Sequence, residues 1–303
     1  MDIRALRYFA AVADTGHMTQ AAERLGIQQP PLSQQIKALE RELGLVLFRR
    51  HPRGVALTDA GRLFQAEALR MLADMAALQQ RMAGVASGQQ GSLSVGFTSS
   101  AAAHRFVPDA LRAYRRAYPG VVLHIREANA ADITEAIHAG RLHCGLVRAP
   151  VARPEGLVFE TLLREPMRVA LPSGHRFALA GQPVTLAMLC EESMLLVRRP
   201  GAPGMYADLL ALCHAQGLAP RVVAEVDRMM TNLNLVAAGV GLSVVPQSMA
   251  GVHPHAIVYL PLVYPLLAAG PALDAPLTLV SRADEDNLPA QNFAALLRTL
   301  EPA

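Results

Sequence analysis

Two groups of residues in this chain are of types that could do chemistry, and in both the chemistry is binding. The first falls in the run QQPPLSQQIK, where Gln28, Gln29, Pro30, Pro31, Ser33, Gln34 and Lys37 lie close together. Glutamine pairs bidentately with the edge of adenine, proline packs on a thymine methyl, and lysine meets phosphate. A little further on, FRRHPRG sets Arg49, Arg50 and Arg53 around a His51-Pro52 turn, a basic tip suited to phosphates or to a minor groove. The second group is Thr98, Ser99 and Ser100 with, far off in sequence, Arg148. Clustered hydroxyls and a guanidinium can together hold a carboxylate. By residue type alone, Ser100 is equally able to cap a helix, and Arg148 to join a surface ion pair.

For the first group to act together it must sit on short helices. Ile3, Leu6, Phe9, Ala10, Val12 and Ala13 recur at helical spacing before Gly16, which predicts an amphipathic helix over 2–15. Thr19 is placed to cap a second helix with Ala21, Ala22 and Leu25 inside and Gly26 at its end, and it joins the DNA-facing set. Pro30 and Pro31 suit the first turn of a third helix whose stripe is Leu32, Ile36, Leu39 and Leu43. Two short helices with a glycine turn make a helix-turn-helix, whose second helix puts its first residues against bases in the major groove. Any three-helix bundle shows this spacing. The basic sequel, set between short apolar segments like a winged hairpin, tips the reading toward DNA.

Charge points the same way. The net charge of the 303 residues is +3, and residues 1–58 hold eight basic against five acidic side chains, so the whole excess lies in that first part. A basic end before a neutral body suits a polyanion partner. With 52% hydrophobic and 17% charged residues, the chain can bury a core and is not broadly disordered. Three cysteines without a C-x-x-C pair suggest free, buried thiols rather than a disulfide framework or a zinc site. The opening Met1-Asp2-Ile3-Arg4 lacks a signal peptide's apolar core, and the later apolar stretches are broken by Pro246, Pro261, Pro265 and Pro271. A soluble cytoplasmic protein that does not engage a membrane is expected.

From Thr58 to about Ala86 an apolar stripe runs through a proline-free segment, predicting one long helix capped by Thr58, then a hinge at 87–91. That stripe is either a pairing surface or part of the core. Beyond it, strands expected at Leu93–Phe97, Val121–Arg126, His143–Val147, Met167–Leu171, Met194–Val197, Arg221–Glu225, Leu242–Val245 and Leu277–Ser281 alternate with helices at 102–118, 131–139, 229–238 and 288–300. Such alternation implies a two-lobed α/β body with a mostly parallel sheet and a ligand cleft at strand ends. The expected domains are 1–58 for DNA binding, 59–90 for the linker and 91–303 for the body. Its first lobe takes about 91–163 and 267–303, and its second about 164–266. No G-x-S-x-G, phosphate-binding loop or metal-protease motif is present, and Gly239-Val240-Gly241 leads into a strand, a poor dinucleotide loop. Catalysis has no candidate constellation, so an enzyme is not expected. A solute-binding protein of this shape would need an export signal.

From Leu6 to Gly61 the sequence resembles, nearly position by position, the N-terminal domain of LysR-type transcriptional regulators. The likeness continues in LSVGF, CGLVR and LNLVAAGVGLSVVP, most closely with the subgroup that controls breakdown of aromatic compounds. The resemblance implies a winged helix-turn-helix and a periplasmic-binding-protein-like body. It implies a linker helix paired with a second copy in a homotetramer built as a dimer of dimers, contact with RNA polymerase, and no cofactor beyond a small acid effector. Ser100 and Arg148 match that subgroup's carboxylate-binding hydroxyl and arginine, and Pro203 a proline in the cleft wall. Three departures stand out. Gln34 replaces a recognition-helix arginine, Ala130 a threonine and Met205 a phenylalanine, so the expected cleft is less polar on one side and less aromatic on the other.

Overall fold

The structure, a computed structural model, describes residues 1–148, 153–198, 204–264 and 273–300. It divides into two compact units, Met1–Val85 and Ala86–Ala303.

In the first unit, α1 (Ile3–Thr15) starts where the Asp2 carboxylate accepts the Ala5 amide at 2.8 Å and stops at Gly16, φ +66°, a conformation glycine adopts without strain. The helix α2 (Met18–Arg24) corrects one expectation. Thr19 lies inside its first turn behind His17, and its hydroxyl is 3.2 Å from the Gln29 side-chain oxygen, to which it donates. The next helix, α3 (Gln29–Leu43), carries Pro30 and Pro31 in its first turn, where no intrahelical amide bond is lost. The strands β1 (Phe48–His51) and β2 (Gly54–Leu57) form the expected antiparallel hairpin. Thr58 then accepts the Gly61 amide at 2.9 Å and launches the 28-residue α4 (Asp59–Ala86). The core closes on Phe9, fully buried, with ring centroids 5.0 Å from Phe48 and 4.8 Å from Phe64. Such side chains contribute about 1.5–3 kcal/mol each by leaving water.

The second unit begins with β3 (Gln90–Phe97), α5 (Ser99–Ala102), α6 (Phe106–Ala117), β4 (Gly120–Glu127), α7 (Ala130–His138) and β5 (Cys144–Val147). Both β4 and β5 pair in parallel with β3, one on each side, so the crossover helices bring each strand back in the same direction. The 16-residue β6 (Leu157–Pro172) then carries the chain from one lobe into the other. There follow α8 (Arg176–Ala180), β7 (Val184–Thr185), α9 (Leu186–Cys190), β8 (Ser193–Val197), α10 (Ala207–Ala215), β9 (Arg221–Val226), α11 (Met229–Ala237), β10 (Ser243–Pro246) and β11 (Ile257–Val263). The return strand β12 (Asp274–Arg282) and α12 (Leu288–Thr299) complete the first lobe. Leu93, Val95, Tyr114, Leu146 and Phe293 fill the core of lobe I, while Val169, Leu196, Tyr206 and Leu233 are among the buried residues of lobe II.

Several expectations change. The sheet is mixed, because β12 runs antiparallel to β5 and to the first half of β6, and β10 and β11 run antiparallel to its second half. A chain that crosses to a second lobe and comes back must return in the opposite direction. The helix expected over 102–118 is broken at His104, whose ring nitrogen accepts the Phe106 amide at 3.1 Å and starts α6 afresh. The expected hinge is shorter, since Gln90 and Gly91 already belong to β3. Cys190 is only half-buried, and its sulfur lies 3.6 Å from that of Cys213 although 23 positions separate them.

Candidate functional site

On the first unit, Gln28, Gln29, Pro30, Pro31, Gln34 and Lys37 are exposed along the start of α3, Ser33 is half-buried, and Thr19 is exposed beside them. Arg49, Arg50 and Arg53 are exposed on β1 and the hairpin tip. Among the described residues Lys37, Arg49, Arg50 and Arg53 form no ion pair, whereas Arg24 is held by Asp14 and Arg62 by Asp59. Cations without intramolecular partners are those left to meet phosphates.

The hairpin is aimed by residues that motif reading passed over. Glu40 on α3 accepts the amides of Leu47 at 2.8 Å and Phe48 at 3.1 Å, tying the start of β1 to the recognition helix. The Val55 amide donates to the Gly16 carbonyl at 2.8 Å, tying β2 to the end of α1. Gly61 packs so close to the Leu47 carbonyl that a β-carbon there would overlap it. Glu40 carried no distinguishing signal, being one of two acidic residues, with Glu42, that balance Lys37 and Arg41 on α3.

In the second unit, β3 and β5 are neighbours and the Thr98 amide donates to the Leu146 carbonyl at 3.2 Å. This brings Ser99, half-buried, and Ser100, buried, to the same sheet edge as Arg148, the residue after β5. Thr98 caps α5 through the Ala101 amide at 3.2 Å and lies 3.4 Å from the Ser100 hydroxyl. Ala130, half-buried, opens α7 at the end of β4, on that edge too. Met205 belongs to lobe II, in a short 3-10 turn at Gly204–Tyr206, and packs against its core and against the α11 cluster. Pro203 lies outside the described residues.

Arg148 proves to be deeply buried rather than at the surface, its side chain 1% exposed. Its guanidinium donates to the Ala275 carbonyl at 2.9 Å, to the Ser248 hydroxyl at 3.4 Å and to the carboxylate of Glu165 on β6. Glu165 in turn accepts the Ser248 amide at 2.6 Å and hydroxyl at 2.9 Å. The network joins the end of β5 in lobe I, the crossing strand β6 and the turn after β10 in lobe II. Burial lowers the pKa of Arg148, opposed by Glu165, but arginine stays charged in proteins. His104 lies in the same field and burial lowers its pKa as well. Glu165 was missed because a lone glutamate inside a strand has no motif.

A helix-turn-helix with free cations on its hairpin, ahead of a two-lobed body with a polar network between its lobes, defines a ligand-responsive DNA-binding regulator. Residues 3–62 match the family model for bacterial regulatory helix-turn-helix proteins of the lysR family, and residues 86–301 match the LysR substrate binding domain. The chain belongs to the LysR family of transcriptional regulators. It is 40% identical to the uncharacterized HTH-type transcriptional regulator YnfL of Escherichia coli, over 86% of this chain and 88% of that protein. It is 33% identical to the HTH-type transcriptional regulator BenM of Acinetobacter baylyi, over 88% of this chain and 86% of that protein. The crystal structure of CbnR, a LysR family transcriptional regulator, superposes with a TM-score of 0.83 at 30% identity, covering 98% of this chain and all of CbnR. A second structure shows full-length CbnR with its target DNA, with a TM-score of 0.79 at 29% identity, covering 98% and 99%. These relatives are regulators by name, and none is an enzyme. No helix among the described residues is long and apolar enough to cross a membrane.

Proposed function

We propose that this regulator acts in the cytoplasm, binds a two-fold operator through the first turn of α3 and the β1–β2 hairpin, and responds to a small carboxylate held at Ser100 and Arg148. The observation that carries the DNA half is the set of exposed, unpaired cations Lys37, Arg49, Arg50 and Arg53 around an α3 that presents Gln28, Gln29 and Gln34. Footprinting on the DNA upstream of its own gene tests it. Salt-sensitive protection of a two-fold site is expected, and its absence sinks the reading. Lys37→Ala weakens the specific site selectively, whereas Arg53→Ala, on the hairpin tip, weakens all sequences alike.

The effector half is supported by a guanidinium buried at a strand end and already engaged by a carboxylate. Glu165 does for Arg148 what an acid ligand's carboxylate would do. Entry of the ligand exchanges one carboxylate for another, and Glu165, released from Arg148, changes its hold on Ser248 in the other lobe. Differential binding to two lobe arrangements is what allows a ligand to alter DNA-domain spacing. The aromatic-degradation subgroup rests on the matches at Ser100, Arg148 and Pro203 and on the likeness of the body's sequence segments, whereas YnfL is more similar to this chain than BenM is. Calorimetric titration with aromatic and dicarboxylic acids, wild type against Arg148→Ala, decides the matter. Equal binding by both proteins refutes the anion site.

Oligomerisation follows the exposed apolar side of α4. Leu63, Met71, Leu78, Met82 and Val85 are all exposed, Leu63 by 72%, and a stripe of that length on one helix calls for cover. A second copy of α4 is the proposed cover, with dimers pairing into tetramers and contact with RNA polymerase at the promoter. Light scattering of wild type against Leu78→Glu and Met82→Glu tests the dimer, which the charged variants should split.

A further inference from the structure

Among the described residues, the buried side-chain polar atoms that find no hydrogen-bond partner in the protein are Nε of Arg148 and both polar atoms of the Asn232 carboxamide. Asn232 is fully buried. An unpartnered amide in the interior costs stability that an apolar residue of the same size would not. Nothing in the packing of lobe II asks for it.

Asn232 lies in the first turn of α11. Met229, Leu233 and Val236 form the stripe that packs on Leu195 and Val245. Asn232, buried with them, sits at the margin of that face, three positions after Met229 and four before Val236. Arg228 reaches out of lobe II to the carboxylate of Glu127 at the end of β4, 3.2 Å away, and α11 packs against α5, the helix that carries Ser100. The start of α11, where Asn232 lies, therefore faces lobe I.

We propose that Asn232 is a specificity-determining residue of the effector cleft, hydrogen-bonding a second polar group on the acid whose carboxylate is held at Ser100 and Arg148. The inference rests on the carboxylate reading above and narrows it. Lobe I takes the anion, lobe II reads the far end, and the effector is a bifunctional acid: a hydroxy acid, an oxo acid or a dicarboxylate. A carboxamide donates and accepts, so it serves any of these groups, but a methyl in that place leaves the amide buried and unpaired. Sites built to hydrogen-bond a ligand reject the analogue lacking that bond more strongly than apolar pockets reject an added group.

The test uses full-length protein and two matched pairs, 4-hydroxybenzoate against 4-methylbenzoate and trans,trans-muconate against sorbate, in which a methyl replaces the second polar group. In calorimetry the wild type is expected to bind the polar member about tenfold more tightly. Asn232→Leu erases that preference, and Asn232→Ser keeps part of it. Ligand-free Asn232→Leu is expected to melt about 2–4 °C higher than wild type, because an unpaired amide has been removed. A fall in its melting temperature, a loss of affinity shared equally by both members of each pair, or no binding of any of the four acids overturns the proposal. Arg148→Ala separates the two readings. If it abolishes binding of both members of a pair while Asn232→Leu leaves the preference intact, the carboxylate site stands and Asn232 does not. If Arg148→Ala binds as wild type does, the carboxylate site itself has failed.

Discussion

The two units keep their cations in opposite ways. On the first, Lys37, Arg49, Arg50 and Arg53 stand in water with no acidic partner among the described residues. In the second, Arg148 is withdrawn from water and supplied with a carboxylate, a carbonyl and a hydroxyl from its own chain. An exposed cation loses little hydration, waits without a partner and binds any polyanion in a salt-dependent way. A buried one must be compensated in every state, so the acid proposed to bind there would have to compete with an internal group and be selected by fit. Breadth at one end and selectivity at the other are what a sensor on DNA requires.

The largest effect should come from breaking the buried side of this comparison. Glu165→Leu leaves the Arg148 charge uncompensated in the interior and is expected to cost about 3–5 kcal/mol in denaturant unfolding. Adding Arg148→Met to that variant removes the second charge and should recover most of the loss, since an apolar pair of similar volume is often no worse than a buried ion pair. If the double variant is as unstable as the single one, Arg148 and Glu165 do not compensate each other as a unit.

The exposed side is broken through packing rather than charge. Gly61→Ala sets a β-carbon against the Leu47 carbonyl and should cost about 1–3 kcal/mol of stability in the first unit by overpacking. DNA affinity should fall with it because the hairpin moves. Arg50→Ala, by contrast, should leave the melting temperature nearly unchanged. It is expected to reduce the slope of log affinity against log salt by about 1, for specific and unrelated DNA alike. A change confined to the specific site would make Arg50 a reader of bases.

The same contrast governs how much of each unit is legible in the sequence. The first unit is nearly contiguous, its helices close over short turns, and its partner-facing cations need no neighbour, so composition and spacing disclose the helix-turn-helix and the hairpin together. Thr19 departs from its expected role as a cap because the fold uses its hydroxyl against Gln29 instead. The cleft gathers residues from β5, β6, β12 and the turn after β10, and its logic depends on who partners whom. Position at a strand end is enough to find Arg148. Glu165 and Asn232 carry no local signal, because one is a charge inside a strand of alternating residues and the other is defined by a bond it does not make. Only the second half of the crossing strand β6 is legible, for the same reason: Glu160, Arg164 and Glu165 interrupt the apolar pattern of its first part, yet pairing with β10, β11 and β12 holds all 16 residues extended.

The smallest expected effect reads the buried field directly. His104 is ordinarily protonated below about pH 6.5, and burial holds its pKa lower in the folded chain, with Glu165 pulling upward and Arg148 and Arg105 pushing down. The neutral ring is thus favoured by folding, so its contribution is complete above the unfolded value and is lost as pH falls through the lower folded value. The melting temperature of wild type should drop slightly more between pH 7 and pH 5 than that of His104→Gln. Nuclear magnetic resonance titration of the ring sharpens the point, since Glu165→Gln removes the upward pull and should lower the His104 pKa further. An acid that displaces Glu165 from Arg148 brings a second carboxylate into the same field and should raise that pKa. A buried sensor that swaps one carboxylate for another would then report the exchange through a neighbouring proton, a signal the free cations of the first unit have no means to give.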